Sequence, residues 1–164
     1  MSERQGGSWR GHRGEWYVVA QVLFMALIFF GPRSSPSLPV WPLPTGRGWI
    51  VLGVLLMLLG GSFLIISIAY LRSALTPLPY PTARGTLIQS GPYAVVRHPM
   101  YAGGLVLAFG WALLVRGWLT LLYVVAFAVF VTIKCRREER WLRARYPEYP
   151  AYETRVRRLI PFVY

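Results

Sequence analysis

The chain has little with which to make covalent or metal crosslinks. One cysteine, Cys135, stands among 164 residues, which excludes an intrachain disulfide and any multi-cysteine metal site. It falls at the end of an apolar block and reads as structural; no metal is expected. Charge is scarce and one-sided: charged residues are 15% of the chain, with 18 Lys and Arg against 6 Asp and Glu. Lys134 is the single lysine. A glycine-rich dinucleotide loop is also missing, because Gly103-Gly104 lies inside an apolar block and fits helix packing better than phosphate binding. There is no internal repeat and no low-complexity tract.

What the chain has in quantity is apolar sequence. Hydrophobic residues are 55% of the total and mean hydropathy is +0.42. They come in blocks with the charges between them, the pattern of a polytopic membrane protein. The length is one domain's worth. A net charge of +12 would also suit a nucleic-acid binder. Arginines flanking membrane spans, however, are retained on the cytoplasmic side and lie against anionic lipid. No nucleic-acid partner is expected.

In chain order, residues 1–15 are polar and glycine-rich and read as a mobile cytoplasmic tail. Trp16–Phe30 is a short apolar block. A signal peptide is its competing reading, but no A-x-A-like site follows and three more apolar blocks do, which favours a retained helix. Residues 31–48 hold Pro32, Pro36, Pro39, Pro42 and Pro44 and must form an extended loop. Trp49–Tyr70 is the clearest span, without a charge; its Gly53, Gly60 and Gly61 would let another helix approach closely. A connector, Leu71–Gln89, carries Pro77, Pro79 and Pro81. Met100–Val115 and Trp118–Ile133 are separated only by Arg116-Gly117. That short link predicts an antiparallel helical hairpin, with Gly103, Gly104 and Gly110 available for tight packing. Lys134–Arg145 should continue the last span as a helix, to be ended by Pro147 and Pro150. Val156, Leu159 and Ile160 are expected at the lipid interface.

This gives an all-α membrane protein of about four spans: a tail at 1–15, a transmembrane domain at 16–133, and a C-terminal cap at 134–164. Four spans put both termini on one side. Fifteen of the Lys and Arg residues lie on the side of the termini and of the 71–99 connector, and three on the other. The positive-inside rule then makes the termini and the connector cytoplasmic. The arginine bias suggests a bacterial chain, and hence the bacterial inner membrane.

The stretch Gly91–Gly103, GPYAVVRHPMYAG, stands at that cytoplasmic boundary. A lone histidine there would cap a helix or anchor to headgroups. Pro99, however, suits the first turn of a helix, which sets His98 near a helix N-terminus, where N–H groups favour a carboxylate or other anion. Arg97, His98, Tyr93 and Tyr101 offer donors and rings; Glu138 and Glu139 offer anions. The glutamate pair has a plain alternative as a solvated face balanced by Arg136, Arg137, Arg140 and Arg143. Lys134 and Glu138 stand at i and i+4 on one face. Glu139 points roughly 100° from Glu138, so the two are not expected to serve one contact.

The GPY and RHPxYxG motifs, the Glu138-Glu139 pair and the tail (Tyr149, Tyr152, Arg158, Leu159-Ile160-Pro161) resemble the isoprenylcysteine carboxyl methyltransferase family and its phospholipid methyltransferase relatives. The resemblance covers about residues 85 to 161. It implies an integral membrane methyltransferase that uses S-adenosylmethionine, bound between the RHPxY loop and the glutamate-bearing helix. By motif position it implicates His98, Tyr101 and Glu138-Glu139, with Arg97, Pro99 and Gly103 shaping the loop. Tyr93 joins them as a cofactor contact, and Glu138 and Lys134 are the candidates for chemistry on the acceptor. Two positions depart from the family pattern: Pro147 where glycine is common, and Lys134 where arginine is usual, without arginine's bidentate fork. The acceptor implied is lipophilic, an isoprenylcysteine carboxylate or a lipid amine. A membrane reductase using NADPH, or a non-catalytic scaffold or lipid carrier, are the rival classes.

Overall fold

The computed structural model describes residues 15–37, 47–71 and 87–161. Six helices follow in order: α1 Glu15–Phe30, α2 Arg47–Leu71, α3 Pro92–Val95, α4 Pro99–Val115, α5 Trp118–Arg145 and α6 Tyr149–Arg155. Among the described residues there is no sheet, and the protein is an all-α membrane protein. The tail up to residue 14, the prolines Pro39, Pro42 and Pro44, and the connector prolines Pro77, Pro79 and Pro81 lie outside the described residues. Helices α2 and α5 are long and apolar enough to cross a bilayer, at 25 and 28 residues. Helices α1 and α4 are shorter, at 16 and 17 residues. The apolar blocks thus became helices to within two residues, because uninterrupted aliphatic sequence between prolines leaves no other way to satisfy the backbone in lipid.

The closest seam is between α2 and α4. A Cβ built on Gly60 would fall 2.6 Å from Gly103 O, and one on Gly53 would fall 2.8 Å from Gly110 O. Such distances leave room for hydrogen alone, so the two backbones touch, with small residues performing their usual role at membrane helix seams. The structure corrects one detail: Gly103 and Gly110 were expected to tighten the α4–α5 hairpin, yet they face α2. Gly104 meets nothing within 4 Å.

The hairpin forms as expected across Arg116-Gly117. Arg116 takes the left-handed conformation, φ 51° and ψ 41°, the usual way of stopping a helix in one residue. Helix α1 lies along α5 through large side chains: Phe24 against Phe127 and Phe130, and Tyr17 against Phe130. At the far end Trp111 Nε1 donates to Ile28 O at 3.0 Å, and the Arg33 guanidinium lies 5.7 Å from the Trp111 ring centroid.

Beyond the apolar block of α5 the helix runs on to Arg145, and Tyr146 caps it. Pro147 ends the helix as expected, but Pro150 does not: it sits in the first turn of α6, where a missing N–H costs nothing. The chain then doubles back. Val96 pairs with Arg157 in a parallel bridge; Arg97 N donates to Arg157 O at 2.8 Å and His98 N to Arg158 O at 3.1 Å. Leu159, expected at the lipid surface, is instead buried in the core with Cys135 and Val131, while Ile160 stays exposed.

Candidate active site

The loop that carries the motif is shaped by its ends. Gly91 has φ 59° and ψ −131°, a conformation that side chains other than glycine's rarely adopt. The Tyr70 ring at the end of α2 fills the space where a Cβ would project. One turn of helix, α3, follows. Then Val96 becomes extended, and His98 and Pro99 open α4. Proline at the helix start removes a donor that would have no partner. The N–H groups of Tyr101 and Ala102 close back on His98 O.

Glu139 is the hub of everything that surrounds the loop. Its side chain is fully buried. Arg97 reaches Oε1 through Nε at 3.0 Å and through NH2 at 2.8 Å. Arg158 reaches Oε1 at 2.9 Å and Oε2 at 2.6 Å. His98 Nε2 is 3.2 Å from Oε1. Arg97 also donates to the carbonyls of Glu153, at 3.0 Å, and Val156, at 2.6 Å. Loop, helix and tail are therefore joined through one carboxylate. Both glutamates stand on the polar extension of α5, beyond the apolar block that ends at Ile133. Burial alone would raise the Glu139 carboxyl. Hydrogen bonds from His98, Arg158 and Arg97 outweigh it and hold the group well below the usual carboxylate range. A second pair, Arg143 on Glu153 at 2.5 and 2.7 Å, fastens α5 to α6.

Glu138 faces a different set of groups. Its Oε1 accepts from the Tyr101 hydroxyl at 2.7 Å, and its Oε2 is 3.5 Å from His98 Nδ1. Here burial prevails: the Glu138 carboxyl is raised, against the opposing pull of His98, Tyr101 and Lys134. The Tyr93 hydroxyl is pushed up to about 12 by burial and then by the Glu138 charge. The imidazole of His98 thus lies between both glutamates, which overturns the expectation that they serve no common contact. The roughly 100° between them is real, but a ring with nitrogens on opposite sides spans it. A neutral ring can donate to only one of the two.

The remaining expected residues divide. Lys134 joins the Glu138 group: its ammonium lies 4.9 Å from the Tyr101 ring centroid and donates to Gln21 Oε1 at 2.5 Å. Arg97 and Pro99 shape the loop. Gly103 does not reach this group; it packs on α2. Three residues that motif reading passed over belong to the assembly: Gln21, Arg143 and Glu153. Gln21 had a signal, as a lone amide within an apolar helix. Glu153 had none, being one charge among many in the tail, and Arg143, one turn after Glu139, reads in the sequence only as a balancing charge on a solvated face. Tyr152 donates to Tyr93 O at 2.6 Å and so ties α6 to the loop.

Comparison of the sequence with known proteins gives the family. Residues 49–149 match the family model described as phospholipid methyltransferase. The chain belongs to the phospholipid methyltransferase family. The match begins near the start of α2 and ends as α6 begins, so α1 and the returning segment at Arg157 and Arg158 lie outside it. The chain is also similar to the cobalt-zinc-cadmium resistance protein CzcN of Cupriavidus metallidurans, with 28% identity over 152 residues, 92% of this chain and 64% of that protein. The chain spans less than two thirds of that relative's length.

Proposed function

We propose that the protein transfers a methyl group from S-adenosylmethionine to a lipophilic acceptor where the membrane meets the cytosol. The observation that carries this reading is the Glu138 cluster. A partly buried carboxylate of raised affinity for protons stands near the Tyr93 and Tyr101 rings and the His98 imidazole, in a chain of the phospholipid methyltransferase family. When bound, the cofactor supplies a methyl group on a positively charged sulfur for in-line displacement.

The residues present fit such a molecule. A carboxylate kept in a poorly solvated place gains most from a neighbouring cation, and aromatic faces attract cations as well. Glu138, Tyr93 and Tyr101 would hold the cationic part, and His98 and the first turn of α4 the polar remainder. Glu139 is not part of that set, because its oxygens are already taken by two guanidiniums and an imidazole. It is a positioning residue, holding His98 and Arg97 in place.

Lys134 and Glu138 would serve the acceptor. For an amine acceptor, Glu138 is the group placed to take the proton that must leave before methylation; a carboxylate acceptor needs no base. Four crossings, one for each apolar block, would put both termini on one side, and the arginine distribution favours the cytoplasm for that side and for the loop, where the cofactor is found.

Calorimetry of the detergent-purified protein with S-adenosylmethionine and with NADPH tests this reading. The expected result is binding of the first alone, weakened about 10- to 150-fold in His98→Ala and Glu138→Ala, the range for losing a hydrogen bond to a charged group. Unchanged affinity in both variants, or binding of NADPH instead, would overturn it.

A further inference from the structure

The seam between α1 and α5 is mainly aromatic and aliphatic, with Arg137 over the Tyr17 ring near its polar end and one amide–ammonium contact further in. There Gln21, the lone amide in α1, accepts the Lys134 hydrogen bond at 2.5 Å. Lys134 is only 3% exposed, on the first turn of α5 past its apolar block, and its ammonium lies over the ring of Tyr101. An ammonium brings three donors and no acceptor, and a carboxamide adds two more donors. Among the described residues the Gln21 carbonyl is the hydrogen-bond acceptor that meets Lys134. The pair is therefore rich in donors and short of acceptors. A buried cation in that condition is costly unless an anionic oxygen completes it. Glu138, one helical turn further along on the same face of α5, acts on the ammonium by its charge, but among the described residues no carboxylate oxygen bonds Lys134.

We propose that Gln21 is a positioning residue for the acceptor. It holds the Lys134 ammonium to receive an oxyanion of the acceptor's headgroup, and so selects lipids that carry a phosphate or carboxylate beside the methylated atom. The inference rests on the methyl-transfer reading and adds to it the element that sets specificity. Helix α1 lies outside the matched residues 49–149, so the amide proposed to set specificity is not part of the family match. Phosphate and carboxylate are one chemistry from two sources, a phospholipid headgroup or a lipidated cysteine.

The test uses the full chain in detergent with three acceptors: phosphatidylethanolamine vesicles, N-acetyl-S-farnesylcysteine, and oleylamine, which has no oxyanion. Gln21→Met should raise KM for at least one oxyanion-bearing acceptor by about 10- to 150-fold relative to its effect on oleylamine, the range for a hydrogen bond to a charged group. kcat and S-adenosylmethionine affinity should hold. The acceptor that responds identifies the source. Gln21→Glu keeps the bond to Lys134 and the docking of α1, so its melting temperature should hold, yet its charge should repel the headgroup and raise KM too. An equal loss on oleylamine, unchanged KM on both oxyanion acceptors, or a Gln21→Glu variant like wild type would each overturn the proposal. If the wild-type chain methylates none of the three, the methyl-transfer reading falls. Selection is then read from retention of the same radiolabelled acceptors: selective retention lost in Gln21→Met supports it, and indiscriminate retention ends it.

Discussion

Replacing Glu139 by glutamine keeps the shape of the side chain and removes its charge. In the native protein that charge answers two bonds from Arg97, two from Arg158 and the His98 ring. Breaking a buried ion pair by removing one partner costs about 3–5 kcal/mol. The lower end applies here, because Arg97 keeps two backbone carbonyls and the Glu153 carboxylate at 3.5 Å. About 3 kcal/mol corresponds to a roughly 150-fold larger population with the tail undocked. Domains are commonly stable by only about 5–15 kcal/mol, so the loss is a large share. Limited trypsin digestion of the 155–158 segment measures it: cleavage should accelerate in Glu139→Gln and not in Glu138→Gln. Cofactor affinity should fall in both, by release of the loop in the first and by a lost contact in the second. If Glu139→Gln lost the cofactor with its tail as protected as wild type, Glu139 would be a ligand and the hub argument would be refuted.

The pH dependence has two parts, from two carboxyls shifted in opposite directions. The depressed Glu139 carboxyl gives stability that is complete above its unfolded value of about 4.5 and lost as pH falls toward its folded one, so tail protection should hold at neutral pH and decline in acid. The raised Glu138 carboxyl loses its basic form at higher pH than an ordinary carboxylate; turnover of an amine acceptor should therefore rise through an inflection above that range, absent in Glu138→Gln, and a flat profile would remove Glu138 as base. Cysteine placed at Ser35 should label from outside the cell and cysteine at Ser90 should not, with little background from the buried Cys135; reversed labelling would invert the topology. Gly104 borders open space, so Gly104→Leu should leave melting unchanged and raise KM for a lipid acceptor that arrives sideways from the bilayer. Gly103→Ala, 2.7 Å from Gly60 O, should instead destabilise by about 1–3 kcal/mol, as overpacking does.

The helices were legible because aliphatic runs between prolines admit one solution in a membrane, and the Arg116-Gly117 link could only turn back. The loop was legible through Pro99 and His98, whose types suit a helix start. Which helices touch was not legible. Glycines at 103, 104 and 110 look alike in sequence, and only the phase of α4 against α2 separates the two that pack from the one that does not. The return of the tail beside the loop was hidden for a related reason. Backbone bonds between Arg97 and Arg157 need no particular side chain, so they leave no pattern. The two glutamates were seen as anions, but their division into a satisfied hub and a perturbed neighbour depends on arginines 19 and 42 residues away along the chain.

The α2–α4 seam sets a limit on how this protein can vary. At Gly53, Gly60, Gly103 and Gly110 the two helices meet main chain to main chain. No side chain there can change rotamer, so the pair has no fine steps through which to slide. Every substitution open to those four positions adds atoms and wedges the helices apart. The α1–α5 seam is built instead from Tyr17 and Phe24 against Phe127 and Phe130, large rings that can be exchanged or retilted while still filling space. One flank of the bundle is thus a fixed post and the other an adjustable wall. Natural variants of this chain should accumulate their changes along α1 and leave the four glycines alone.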